Sequence, residues 1–274
     1  MLRPAVRVRY WRGLDAFPPK MNRLSICIIT LNEAHDLPRL LKSVEGVAEE
    51  IVVVDSGSTD ATVEIARAAG ARVLTRAWTN YAEQKNFAAA QAAEDWILLL
   101  DADEALSEEL RASLLNWKTA PPQFPVYEMA RLAWFLGAWI HHSRWYPDWQ
   151  RRLFDRSKAQ FFGAIHESLQ FPGAPGRLQG DLLHYTVRNL QEQRQKSEEY
   201  STVSARAMFE SGRRRWRAAK WLATPWAWFR YFVLGAGFLD GYRGFLIARS
   251  AAQTVWLKYT KLGELVRQAS REKR

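Results

Sequence analysis

The sequence predicts an α/β domain with a mostly parallel central sheet, followed by a helical, basic and tryptophan-rich region. Short apolar runs rich in β-branched residues alternate with stretches whose apolar residues recur at helical spacing. Strands that alternate with helices imply right-handed βαβ units and a parallel sheet. Several runs end abruptly in polar or acidic residues, and the crevice beyond such strand ends is where open α/β sheets bind ligands.

The composition is that of one large domain, or of a domain with an appendage. The chain has 274 residues, of which 48% are hydrophobic, so it can bury a sizeable core. A formal net charge of +10 predicts an acidic partner: nucleic acid, anionic lipid or a phosphorylated substrate. Cys27 is the only cysteine and lies in an apolar run, so we expect a buried, inert thiol and no disulfide, as in a reducing cytoplasm.

Residues 1–20 are expected to form a disordered arm that precedes the folded domain. The segment is basic but lacks the apolar stretch of a secretory signal, and it ends in Pro18-Pro19. Met21 stands just before the first apolar run, so we expect the folded domain to begin there.

The first half of the chain predicts four strands and three helices. Ser58, Thr59 and Asp60 are candidate N-caps for the second helix. The predicted strands are 24–30, 51–55, 72–75 and 96–100, and the predicted helices are 34–47, a stretch ending at Ala69, and 81–93.

The fourth predicted strand ends in three acids, Asp101, Asp103 and Glu104. If the chain stays extended, the side chains of Asp101 and Asp103 point to the same side. Such a pair can hold Mg²⁺ or Mn²⁺, whose remaining ligands are phosphates and water. A solvated acidic turn would give the same pattern, so this motif alone leaves both interpretations open.

Polar residues also follow two other strands, at Thr30–Glu33 and at Asp55. Taken singly, Asn32, Glu33 and Asp55 each fit a turn or the start of a helix. Because the carboxyl ends of parallel strands meet at one edge of the sheet, their convergence with the acids of the fourth strand predicts one ligand site.

Four segments resemble the nucleotide-sugar half of family 2 glycosyltransferases, which have the GT-A fold. The resemblance covers residues 24–115. Residues 136–185 are similar to the subgroup that adds sugars to the inner core of bacterial lipopolysaccharide. The matching segments of the donor half are Thr30–Glu33, Val54–Asp60, Gln84–Asn86 and Leu100–Glu104.

This resemblance implies an inverting glycosyltransferase. It would move a hexose, most readily glucose, from a UDP-sugar to a lipid-linked, phosphorylated acceptor such as the lipopolysaccharide inner core. A divalent cation, Mg²⁺ or Mn²⁺, would stabilise the charge that develops on the leaving diphosphate.

The resemblance also implies roles for residues that bind the donor. Asp55 would accept a hydrogen bond from the uracil N3–H, and Thr30 and Asn32 would lie along the nucleoside. Glu33 would face the ribose hydroxyls. Lys85 would face the diphosphate as a point charge, at a position where relatives often have arginine.

The implied metal ligands are Asp101, Asp103 and His184: Asp103 would hold the metal that bridges the two phosphates, and Asp101 would lie near the ribose or the metal. His166 and His184 are each a candidate either for donating a hydrogen bond to the diphosphate or for serving as a third metal ligand. A histidine hydrogen-bonded in a turn is the alternative for both.

Inversion requires a base for the acceptor hydroxyl. The family places a carboxylate at the end of a later strand, and Glu167 matches that position. Many relatives have Glu-Asp where this chain has His166-Glu167, so Asp148, in an aromatic loop, is the second candidate for the base.

Pro121–Pro125 predicts a boundary between a donor half, 21–120, and an acceptor half, 121–186, with a helical region at 187–274. The aromatic residues between 134 and 149 suit either sugar stacking or a core. Between Ser211 and Leu239 no acid occurs, while arginines and lysines alternate with tryptophans. This pattern predicts a helix on the anionic inner face of the inner membrane, too short in its apolar part to cross it. A hairpin packed on the catalytic domain is the alternative.

Two other functions are possible alternatives for this sequence. A sugar-phosphate nucleotidyltransferase would carry a Gly-rich basic loop after the first strand, where this chain has Leu31-Asn32-Glu33. A non-catalytic basic protein would bind membrane through the C-terminal region. No nucleic-acid-binding module is recognisable in the sequence, so nucleic acid is not an expected partner.

Overall fold

The computed structural model describes residues 22–163, 167–187, 190–214 and 216–271, so the predicted arm 1–20 and His166 lie outside the described residues. The fold is α/β, with a large central sheet and a helical C-terminal region, and both predictions are confirmed. The strands are β1 Leu24–Thr30, β2 Glu50–Asp55, β3 Arg72–Thr75, β4 Trp96–Asp101, β5 Glu104–Leu106, β6 Val126–Phe135, β7 Ala138–Ile140, β8 Asp148–Asp155, β9 Gln160–Phe162, β10 Ser168–Gln170 and β11 Gly176–Val187. The helices are α1 Leu37–Ser43, α2 Thr62–Ala68, α3 Tyr81–Gln91, α4 Glu108–Lys118, α5 Leu190–Glu210, α6 Arg217–Phe229 and α7 Gly241–Arg271.

The nine-stranded sheet has the order β3-β2-β1-β4-β8-β6-β11-β5, with β7 paired to β6. The first four strands are parallel, as their alternation with helices predicts. Beyond β4 the sheet is mixed: β8 runs antiparallel to β4 and β6, and β11 runs parallel to β6. The ends of β1, β2 and β4 therefore lie side by side at one edge, which is where the predicted donor residues stand.

Alternate residues of β1 enter two different apolar layers. Ile26 and Ile28 pack with the leucines of α1 and α4, whereas Cys27 and Ile29 pack with the alanines of α3. Both faces of the strand are buried, which explains its continuous apolar sequence. Burial raises the pKa of the Cys27 thiol to about 12, so the expectation of a buried cysteine is confirmed.

Three predicted element boundaries are wrong. The first helix begins at Leu37 and not at Ala34, because a preceding turn uses the Glu33 carbonyl to accept the Asp36 and Leu37 amides. The N-cap of α2 is Ala61, while the Asp60 carboxylate accepts the Thr62 amide. Val187 ends β11, and is not the first residue of a helix.

The C-terminal helices pack on the sheet domain through a third core cluster. Phe135 and Ile140 from β6 and β7 contact Leu246 and Ile247 from α7. A π-helical turn, Arg230–Leu234, and a 3-10 turn, Gly237–Asp240, connect α6 to α7. Among the described helices, none combines the length and the hydropathy that a membrane span requires.

Candidate active site

The loops after β1 and β2 are held together by hydrogen bonds between their side chains and backbones. Asp55, only 2% exposed, accepts the Gly57 and Ser58 amides at 2.9 Å each. Asn32 has a φ of +56°. Its side-chain oxygen accepts a hydrogen bond from the Thr59 amide at 2.8 Å, and its backbone amide donates to the Ser58 hydroxyl. The bonds of Asn32 join the two loops into one rim. Both carboxylate oxygens of Asp55 accept hydrogen bonds from its own loop.

Thr30 and Glu33 lie on either side of Asn32 in this rim. Thr30 is buried, its hydroxyl has no hydrogen-bond partner among the described residues, and its carbonyl accepts the Ser56 amide at 2.9 Å. The Glu33 amide donates to the Thr62 hydroxyl at 2.8 Å. The positions of Thr30, Asn32, Glu33 and Asp55 agree with a nucleoside site at this edge, and their contacts with a ligand stay predictions.

The chain turns at Ala102 and Asp103, between β4 and β5, so that Asp103 has a different environment from Asp101 and Glu104. The Glu104 carboxylate accepts the Asp101 amide at 3.0 Å, which closes the turn. Asp101 lies against cations from β8 and α3, whereas Asp103 lies against β11. The chain is therefore not extended here, and the prediction that the side chains of Asp101 and Asp103 point to the same side is wrong.

Arg152 is the cation at the centre of the acidic cluster. It is 3% exposed, and its Nη2 donates to Asp101 Oδ2 at 2.5 Å and to Glu104 Oε1 at 2.6 Å. Burial opposes ionisation of Asp101, but the positive charges of Arg152 and Lys85 outweigh it and hold the pKa of that carboxyl well below its ordinary value. The Asp101 carboxylate therefore keeps its negative charge at neutral pH.

Lys85 connects this cluster to the candidate base. Its ammonium, on α3, lies 3.4 Å from Asp101 Oδ1 and donates to Glu167 Oε1 at 3.0 Å. The Lys85 side chain is 3% exposed and the Glu167 side chain is 25% exposed. Two carboxylates 66 positions apart in the sequence are thus brought to one ammonium group.

Asp103 and His184 form the second pair of the site. His184 Nε2 lies 3.1 Å from Asp103 Oδ2, and the Tyr185 amide donates to the Asp103 carbonyl at 3.0 Å. One carboxylate oxygen and one imidazole nitrogen are suitable ligands for Mn²⁺. Asp101 does not join them, and the described residues contain no group of three or more acidic, histidine or cysteine side chains placed to hold a metal ion.

Asp148, the second candidate for the base, is held by Arg131. The guanidinium donates twice to Asp148 Oδ2, at 2.9 Å and 2.6 Å, and its Nη1 lies 3.5 Å from Glu104 Oε1. Gln150 donates to the other carboxylate oxygen of Asp148. Both carboxylate oxygens of Asp148 are thus engaged by neighbouring side chains, and the choice between Glu167 and Asp148 as the base stays a prediction.

Sequence reasoning missed Arg131 and Arg152. The available signal was weak: two arginines, 151 and 152, interrupt a strand that continues as Leu153-Phe154. Since β4 and β8 pair directly, one of these arginines had to face the acids of β4, but that pairing is not evident without the sheet order.

Comparison with known proteins gives matches over most of the chain. The model of the family described as Glycosyl transferase family 2 matches residues 25–171. The lipopolysaccharide core biosynthesis glycosyltransferase LpsC of Rhizobium meliloti is 33% identical over 248 residues, which cover 87% of this chain and 91% of that protein. An uncharacterized glycosyltransferase of Rickettsia typhi is 30% identical over 259 residues, which cover 89% of this chain and 88% of that protein.

Among solved structures, this chain is similar to glucosyl-3-phosphoglycerate synthase from Mycobacterium tuberculosis, in a complex with Mn²⁺, UDP and glucosyl-3-phosphoglycerate. The two are 21% identical, the TM-score is 0.36, and the match covers 44% of this chain and 50% of the other.

Proposed function

This chain belongs to glycosyl transferase family 2, and we propose that it moves a hexose, most readily glucose, from a UDP-sugar to a lipid-linked, phosphorylated acceptor with inversion at the anomeric carbon. Its membership of this family sets aside the nucleotidyltransferase and the non-catalytic protein. We assign donor binding to residues 21–120 and acceptor binding to 121–186.

The observation that carries this proposal is the position of Lys85 between Asp101 and Glu167. A buried ammonium flanked by two carboxylates is suited to exchange one of them for an entering diphosphate. In the donor complex, Lys85 would then contact phosphate oxygens and leave Glu167 free to accept a proton from the acceptor hydroxyl. The general base and the diphosphate would then both lie next to the Lys85 ammonium.

The residues present fit a divalent cation at Asp103 and His184, two groups held together at 3.1 Å. When bound, that cation supplies charge stabilisation for the departing nucleoside diphosphate. Asp101 serves a different purpose in this proposal: Arg152 fixes its carboxylate, which would accept hydrogen bonds from ribose hydroxyls.

The acceptor assignment rests on chemistry and on similarity to LpsC, whose name assigns it to lipopolysaccharide core biosynthesis. The net charge of +10 suits a phosphorylated glycolipid and the anionic inner face of the inner membrane, where we place the protein as a peripheral enzyme. Trp149, 39% exposed beside Asp148, offers a ring for stacking against a sugar.

The proposal is tested by calorimetry of UDP binding to the full chain, with and without Mn²⁺. We expect metal-dependent binding that Asp103→Ala abolishes. The matched control is Asp95→Ala, which removes a carboxylate that is 79% exposed at the opposite end of β4 and should bind UDP normally. If UDP does not bind with or without Mn²⁺ while another nucleotide does, the UDP-sugar assignment is refuted.

A further inference from the structure

Exposed large apolar side chains are concentrated on α6, on the turns that follow it and on the first turn of α7. Within the described residues, eight large hydrophobic side chains are more than half exposed, and seven of them belong to this surface, Tyr200 being the other. We call it the apolar edge, and its members are Trp221, Leu222, Trp226, Leu234, Phe238, Leu239 and Tyr242. Solvent exposure of this many large apolar groups in one place is typical of an interaction site.

The segment of the chain that carries the apolar edge is basic. Between residues 211 and 263 the sequence contains ten lysines and arginines and a single acid, Asp240. Arginine and lysine beside exposed tryptophan, phenylalanine and leucine suit the headgroup layer of an anionic bilayer, where apolar groups enter the lipid and cations meet phosphate.

The single acid is turned away from this surface. The Asp240 side chain is 5% exposed; it accepts the Ser143 hydroxyl at 2.8 Å and lies 3.0 Å from His142 Nδ1. The His141 amide donates to the same carboxylate at 3.3 Å. Asp240 therefore adds no exposed negative charge to the edge, and it ties the edge to the loop that precedes β8.

Other contacts fix the same junction. The Ser143 amide donates to the Gly235 carbonyl at 2.7 Å, and Arg243 donates to the Leu136 carbonyl at 2.9 Å. A Cβ at Gly244 would stand 1.8 Å from the Gly237 carbonyl oxygen, so only glycine permits this approach. The turn and the loop 141–147, which leads directly to Asp148, behave as one unit.

We propose that the apolar edge inserts into the headgroup layer of an anionic lipid bilayer, and that the Asp240 junction thereby holds loop 141–147 at the lipid surface. This inference rests on the membrane location given under the proposed function, but not on the sugar chemistry. A second copy of the chain is a poorer occupant, because an isologous contact would bring the same basic segment of two chains together.

The first test is flotation of the full chain with vesicles of phosphatidylcholine alone or mixed with phosphatidylglycerol. We expect binding to the anionic vesicles that weakens with salt. Leu234→Ser combined with Leu239→Ser should weaken binding at least ten-fold, since each removes a leucine from the lipid. The matched control, Leu190→Ser with Val203→Ser, alters residues that are 43% and 49% exposed on α5 and should bind as the native chain does.

The second test measures depth. Because Cys27 is the only native cysteine and is buried, a cysteine introduced at the surface can be labelled specifically with an environment-sensitive fluorophore. Leu239→Cys should be quenched by a lipid-borne quencher, Val203→Cys should not, and His141→Cys should be quenched at headgroup depth.

The apolar edge would not be the docking surface if the leucine double variant bound anionic vesicles as well as the control double variant does. Quenching at position 203 but not at 239 would exclude it as well. Quenching at 239 without any at 141 would overturn the orientation of the loop. Self-association that the leucine variant abolishes, without vesicle binding, would identify a second copy as the occupant. UDP binding is measured in parallel. If it persists in each of these cases, the membrane inference fails while the enzyme assignment stands.

Discussion

Arg152→Met tests whether the acidic cluster depends on one buried cation. The substitution removes the guanidinium that contacts Asp101 at 2.5 Å and Glu104 at 2.6 Å, and it leaves Glu104, 1% exposed, without its closest cation. Removing one partner of a buried ion pair costs about 3–5 kcal/mol. Lys85 at 3.4 Å from Asp101 and Arg131 at 3.5 Å from Glu104 remain, so we expect the lower end, ~3 kcal/mol.

The assay is urea unfolding at pH 7, supported by thermal unfolding, where a loss of this size lowers Tm by about 6–12 °C. The matched control is Arg151→Met on the same strand, whose side chain is 45% exposed and 3.9 Å from Glu128, and which should cost less than about 1 kcal/mol. Adding Asp101→Asn to Arg152→Met should recover part of the loss, because it removes a carboxylate that has lost its closest cation.

The pH dependence gives an independent check. The folded-state pKa of Asp101 lies below its ordinary value of 3.8, so its pairing stabilises the fold above that pH and ceases to do so as the carboxyl is protonated at lower pH. The difference between the native chain and Arg152→Met should therefore shrink as the pH falls below 3.8. A loss under about 1 kcal/mol at pH 7, equal to that of the control, would refute the central role of Arg152.

Three further predictions concern the site and the core. Glu167→Gln should retain UDP binding and slow sugar transfer by roughly 10²–10⁴-fold, the usual contribution of a general base, whereas a transfer rate like that of the native chain would exclude Glu167. Asp148→Asn should affect transfer less than Glu167→Gln does, and the reverse order would move the role of base to Asp148. The Cys27 thiol, with a pKa of about 12, should react with a disulfide reagent at about pH 8 only as the chain unfolds, and rapid reaction in the native state would contradict its burial.

The donor edge could be predicted from sequence because its determinants are local. The apolar runs of β1, β2 and β4 and the helices between them predict parallel strands, and parallel strands bring Thr30, Asp55 and Asp101 to the same edge. The second half was harder, since its strands join without intervening helices and their pairing depends on contacts distant in sequence.

The environment of each acid could not be read from sequence for the same reason. Asp101 and Asp103 look equivalent in a D-x-D pattern, yet one pairs with Arg152 and the other with His184. The turn at residues 102 and 103 separates them, and a turn of this kind depends on the Glu104 carboxylate that accepts the Asp101 amide.

The sequence by itself determined the α/β class, the order of the first strands and the basic, aromatic character of the C-terminal region, because periodicity and composition are local properties. Only the tertiary structure decided that Arg152 pairs with Asp101 and Glu104, that Lys85 joins Asp101 to Glu167, and that Asp240 turns inward to Ser143. The contacts of Arg152 with Glu104, of Lys85 with Glu167 and of Ser143 with Asp240 join residues about 50 to 100 positions apart. Such contacts are set by how the sheet and helices pack, and no local pattern encodes that packing.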